Sequence, residues 1–164
     1  MVGAHQQKYL WLGGTLLGIV LSSCGSPFLL DSHSQELGQT LPISAELVLA
    51  NERVVELEVA KTAAEQSQGL MFRSQLPPER GMLFDFDSPR VARFWMKNTL
   101  IPLDMIFLRE GKIKAILEQI PPCQSDPCPV YGPWMEVDQV LELGAGQAQN
   151  LGIKVGERLT IRPR

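Results

Sequence analysis

Apolar and polar residues alternate with period two over residues 45–49 and 54–59, on either side of the polar turn Ala50-Asn51-Glu52-Arg53. Successive side chains of a strand point to opposite faces, so Val55, Leu57 and Val59 share one face and Glu56 and Glu58 the other. That pattern predicts a half-buried β-hairpin. Thr62 and Glu65 stand at capping-box spacing and predict a short helix over 63–69. Further strands are predicted over 82–86, 92–97, 104–108, 113–120, 139–143 and 158–161, each bounded by Gly, Pro or Asp. Residues 145–151 suit a second short helix with Gly152 at its end. The expected fold over residues 43–164 is mainly β, a single-domain β-sandwich or irregular barrel of about eight short strands with two short helices.

Upstream the pattern changes. Residues 9–20 form an apolar run behind Lys8, short of the ~20 residues that span a bilayer as a helix. Gly13, Gly14 and Gly18, and the serines that follow, weaken a transmembrane reading. Leu21-Ser22-Ser23-Cys24 then places small residues before a cysteine, which resembles the lipobox of bacterial lipoproteins. The resemblance implies that residues 1–23 are a signal peptide and that Cys24 becomes a lipidated amino terminus. Several acyl chains on one residue give stable anchoring. Gly25, rather than Asp, implies no inner-membrane retention signal. Residues 24–42 are expected to be the lipidated cysteine and a tether, broken by Ser26, Pro27, Ser32, Ser34, Gly38 and Pro42. The expected location is extracytoplasmic, lipid-anchored to the cell membrane or outer membrane on the periplasmic side.

Charge and cysteines fit that address. Removing residues 1–23 takes away Lys8 alone among charged side chains, so a net charge of −3 becomes −4. A mildly acidic domain disfavours nucleic acid as a partner. Cys123 and Cys128 remain as an even pair bracketing Gln124-Ser125-Asp126-Pro127, and in an oxidising compartment a local disulfide is expected. The alternative, half of a metal site, needs two further soft or imidazole ligands. His5 and His33 both precede the domain, so neither a metal nor a cofactor is expected.

GLMFR at 69–73, GMLF at 81–84 and FWMKNTLIPLDMIF at 94–107 together look like the signature of the DUF192 family, a domain family of unknown function. VLEL at 140–143, followed by Gly152, Ile153 and Gly156, is similar to its closing segment. The resemblance spans residues 47–161 and implies a small, exported, mostly β domain with no assigned activity. The Cys123 to Cys128 loop stands outside the common pattern.

Alternation over 92–98 places Phe94 and Met96 on a core face, and Arg93, Trp95 and Lys97 on the opposite face, with Asn98 and Thr99 following. An indole between two cations, beside an amide and a hydroxyl, can hold a hydroxyl-rich or anionic ligand. The same residues also suit a covering role, with the Arg93 and Lys97 stems packed along Trp95. Asp104 opens an apolar run and is expected either to accept backbone hydrogen bonds or to pair with Arg73 or Lys97. The candidate ligand-binding set is therefore Arg73, Arg93, Trp95, Lys97, Asn98, Thr99 and Asp104.

Several chemistries lack their residues. Without histidine the domain has no Ser-His-Asp or Cys-His set and no HExxH-type zinc site. Residues 144–149 resemble a GxGxxG start but lack the third glycine, and read as a loop into a helix. Asp85 and Asp87 precede Ser88-Pro89 and read as a solvated turn. Met71, Met82, Met96, Met105 and Met135 show no clustered spacing, which argues against copper. The expected function is a non-catalytic binding module, tethered to the membrane through Cys24, for a small polar or anionic ligand, an envelope polymer or an envelope protein. The alternatives are a small envelope enzyme acting on carbohydrate through Lys, Arg and Asp groups, and a structural or assembly factor.

Overall fold

The computed structural model describes residues 38–164. The expected signal peptide, Cys24 and most of the tether lie outside the described residues. The described chain is mainly β: seven strands form one sheet, two form a second small sheet, and two short helices join them.

β1 (Ile43–Val48) and β2 (Val54–Ala60) form the expected hairpin, with Ala45 opposite Leu57 and Leu47 opposite Val55. Thr62 caps α1 (Ala63–Gln68): its side chain accepts from the Glu65 amide, and the Glu65 carboxylate accepts from the Thr62 amide at 2.8 Å. The helix carries the chain across to β3 (Arg80–Val91), which pairs parallel with β2. A parallel pair needs such a crossover, whereas an antiparallel pair needs only a turn. β5 (Leu103–Arg109) and β8 (Glu136–Gly144) complete the centre, β6 (Lys112–Ile120) forms one edge, and β9 (Thr160–Pro163) adds to the free edge of β1. The order across the sheet is β6-β5-β8-β3-β2-β1-β9, and every pairing except β2 with β3 is antiparallel.

The sheet does not close. Its edges nevertheless approach through the bridge between Lys112 and Arg158, reinforced by the Ile113 amide donating to Glu157 O at 2.9 Å. One face packs Leu47, Leu57, Leu83, Ile106, Leu108 and Leu141, and α2 (Gln147–Asn150) adds Ala148 to that core. The other face packs Met82, Phe84, Met105, Phe107 and Val140 beneath β4 (Phe94–Trp95) and β7 (Val130–Tyr131). β5 is thus apolar on both faces, as its unbroken hydrophobic run requires.

Three local expectations are corrected. Residues 92–97 form only the two-residue strand β4, although Ala92 and Met96 are buried and Arg93 and Trp95 exposed, as alternation predicts. Asp85 to Pro89 is not a solvated turn but the bulged middle of β3, where the register with β8 shifts between Asp85 and Arg90. Such irregularities are where a sheet tolerates proline. Asp85 is also held, accepting from Gln139 Nε2 at 3.0 Å. β7 lies in a segment rich in Pro and Gly that predicts no strand. It fits because a side chain at Gly132 would start 2.4 Å from the Ala92 carbonyl oxygen, so only glycine permits this approach.

Candidate functional site

The expected site residues do not converge on one another. Asp104 is fully buried, but neither Arg73 nor Lys97 pairs with it. Its two oxygens accept from the backbone amides of Gln119, at 2.8 Å, and Ala148, at 2.9 Å. It ties β6 and the start of α2 to β5, a clasp of backbone hydrogen bonds. Arg73 instead makes a two-pronged ion pair with buried Glu58, and Lys97 reaches Asp126 in the disulfide loop at 3.4 Å. An acid-base set built from Asp104 with Lys97 or Arg73 is therefore not assembled.

The Lys97-Asn98-Thr99 sequence builds a turn. Asn98 takes a positive φ of 57°, a conformation that asparagine tolerates better than most residues. Its carbonyl accepts from the Phe72 amide at 2.8 Å, and the Thr99 amide donates to Met96 O at 3.2 Å. The Asn98 side chain points to solvent, while Thr99 turns inward and is only 7% exposed, contrary to its expected place on the outer face. Cys123 and Cys128 form the expected disulfide. The Cys123 amide donates to Met96 O, so the bridged loop lies against the same turn.

Trp95 remains half exposed, with Lys97 Nζ 5.7 Å from the centre of its ring. Arg93 stacks over Trp134 rather than Trp95, 4.2 Å from that ring. The two cations thus cover two separate indoles.

What lies beneath Trp95 is a cleft of about 160 Å³. Its rim is the end of α1 and the turn after it, from Gln66 to Met71, where Gly69 takes φ of 48°. Phe84, Phe94 and Met96 supply apolar wall, and Thr99 supplies a hydroxyl. Glu142 of β8 lines the same cleft at 4% exposure. Its cross-strand neighbours are Met82 on β3 and Met105 on β5, both fully buried. Burial pushes the Glu142 carboxyl up to about 8, with no cation or hydrogen bond among the causes to offset it. A larger, open depression of about 640 Å³ lies by Leu49, Leu151 and Arg158, but its charged residues are all exposed.

Of the expected set, Arg93, Trp95 and Thr99 line the cleft, whereas Arg73, Lys97, Asn98 and Asp104 do not. Glu142 was missed by sequence reasoning. Its signal was present: period two puts Glu142 on the same face as Val140, a core position. The methionines also converge more than their spacing suggests, since Met71 and Met96 line the cleft while Met82 and Met105 flank Glu142.

These features define a mainly β, disulfide-containing domain with one buried acid beside an aromatic cleft. The chain belongs to the DUF192 family, Uncharacterized ACR, whose model matches residues 46–161. A crystal structure from Sinorhizobium meliloti 1021, named as a proposed transcription regulator, is 38% identical with a TM-score of 0.65; the match covers 75% of this chain and 97% of that one. A protein of unknown function from Novosphingobium aromaticivorans DSM 12444 is 35% identical with a TM-score of 0.63, covering 71% of this chain and 83% of that one. No curated protein matches.

Proposed function

We propose that this chain is an extracytoplasmic lipoprotein, tethered through Cys24, that binds a small polar ligand in the cleft beneath Trp95 without transforming it. The observation that carries the binding role is the buried Glu142 carboxyl, which has no hydrogen-bond or ion-pair partner among the described residues and opens onto a cleft lined by Phe84, Phe94 and Trp95. Binding sites combine mostly apolar walls with a few placed polar groups, and perturbed acids mark such places. The tether rests on the apolar run and the lipobox-like residues before Cys24, and the Cys123–Cys128 disulfide supports an oxidising compartment. A formal net charge of −3 gives the regulatory role in the Sinorhizobium protein's name no support here, because a net acidic chain disfavours nucleic acid.

Two measurements test the reading. A fatty-acid probe fed to cells is expected to label the wild-type chain and not Cys24→Ser; equal labelling of both defeats the tether. A thermal-shift screen of sugars, amines and small acids is expected to find a stabilising compound whose effect is lost in Trp95→Ala. A screen in which that variant responds like the wild type removes the cleft from the function.

A further inference from the structure

We propose that the cleft receives an organic ammonium group, with Glu142 as its counter-ion and the Trp95 ring as its cover. The inference rests on reading the cleft as a binding site and names the class of ligand it takes.

The cations that could hold an anion are engaged elsewhere. Arg73 is paired with Glu58, Lys97 with Asp126, and Arg93 lies over Trp134. The cleft itself offers the opposite polarity. Its ionisable wall residues are Glu142, which is buried, and Arg93, which is exposed and lies over Trp134. The residues at the end of α1 that line the cleft include no basic side chain. Trp95 lines the cleft, and its ring, which Lys97 already approaches at 5.7 Å, attracts cations through its quadrupole. The thioethers of Met71 and Met96 are polarisable wall that needs no hydrogen bond.

Among the described residues, the other charged side chain lining the cleft is Arg93, which is exposed and lies over Trp134. On the strand of Glu142, Val140 and Gly144 are its same-face neighbours. Across the strands it faces Met82 and Met105, and from the covering turn Met96 and Thr99 line the cleft with it. A carboxyl in such surroundings stays protonated near neutrality until a cation arrives. Binding then releases the carboxyl proton to solvent and leaves a carboxylate against the ammonium group. With the folded carboxyl at about 8, affinity should rise about tenfold per pH unit between pH 6 and 8 and level off above.

The test is titration of the full chain with choline and with n-butylammonium, measured by isothermal titration calorimetry, at pH 6, 7, 8 and 9. Glucose, succinate and silver(I) serve as neutral, anionic and soft-metal comparisons at matched ionic strength. The inference expects saturable binding of at least one ammonium probe, with that pH profile, and at least tenfold weakening in Glu142→Gln. Trp95→Ala, at a half-exposed position, supplies a second variant, expected to weaken binding tenfold while melting as a folded protein. If glucose or succinate saturates the cleft and the ammonium probes do not, the ligand class is wrong but the binding site stands. Saturation by silver(I) alone, through the thioethers, overturns the ammonium class in the same way. If no probe binds, or if binding ignores both variants, the inference and the cleft reading fall together.

Discussion

The Arg73 guanidinium grips both carboxylate oxygens of Glu58, at 2.7 and 2.5 Å, and also donates to the carbonyl of Gln39. The Leu41 amide donates to the same carboxylate at 2.6 Å, so the segment entering β1 is stitched to β2 through one ion pair. Both side chains are largely buried, at 13% and 5% exposure. Arg73→Ala would leave Glu58 as an uncompensated buried charge, a loss of about 3–5 kcal/mol. Urea unfolding should show that loss. Arg73→Lys should recover only part of it, because one ammonium cannot reproduce the two-pronged geometry. A loss below about 1 kcal/mol for Arg73→Ala would mean the pair is not a structural clasp.

Glu142 makes stability depend on pH in an unusual direction for a carboxylate. Its folded value is raised to about 8 from an ordinary value of 4.5, so between those limits the native state holds a proton that the unfolded chain has lost. Stability from this group is complete below about pH 4.5, falls as pH rises through the window, and is constant above about 8. The full difference is roughly 4–5 kcal/mol at 1.36 kcal/mol per unit. Glu142→Gln, nearly isosteric and never ionised, should be more stable than wild type at pH 8.5 and show no such advantage at pH 4.5. Unfolding curves for the two proteins across pH 4–9 check this. Parallel pH profiles would place the acid in contact with water or a hidden partner.

How much of this was legible depended on how local the cause was. The Thr62 and Glu65 cap, the β1–β2 hairpin and the doubly apolar β5 are set by near neighbours in the chain, and the spacing of residues showed them. Glu58 was placed on the correct face of β2, but its burial comes from Arg73, which reaches it from the turn after α1. Asp104 was legible as a strand-end acid, with backbone hydrogen bonds and a pair with Arg73 or Lys97 as the alternatives, and the backbone bonds are what form. That the donors are Gln119 and Ala148 depends on β6 and α2 arriving on either side. β7 has no pattern of its own and exists only against β4, whose alternation was legible but whose pairing lasts two residues. The cleft was out of reach for the same reason: α1, β3, β4 and β8 each bring one wall of it.

The Cys123–Cys128 bridge closes a short loop beside the Met96 turn. By chain entropy such a loop contributes about 2 kcal/mol. The exposed Lys97–Asp126 pair in the same loop should add little. Replacing both cysteines by serine should therefore lower stability by about 2 kcal/mol, and Asp126→Asn by less than about 0.5 kcal/mol. Chemical denaturation of the two variants separates the effects. If Asp126→Asn proves the more damaging, the ion pair rather than the crosslink holds the loop.

Asp104 supports the sheet and α2 at once. Its removal as Asp104→Ala leaves the buried Ala148 amide without an acceptor, at about 1–3 kcal/mol, and also releases the amide of Gln119, an exposed residue. Gln119 has a positive φ of 53°, so its amide has been turned out of the regular ladder toward this acceptor. Ala148 is buried against the core that includes Leu141 and Leu143. Asp104→Asn keeps one carbonyl acceptor and should fall between wild type and alanine. Hydrogen exchange can locate the damage: the Ala148 and Gln119 amides should lose protection in Asp104→Ala well before the β1–β2 pair does. Uniform loss of protection across the sheet would mean that Asp104 acts on the whole fold rather than through these two donors.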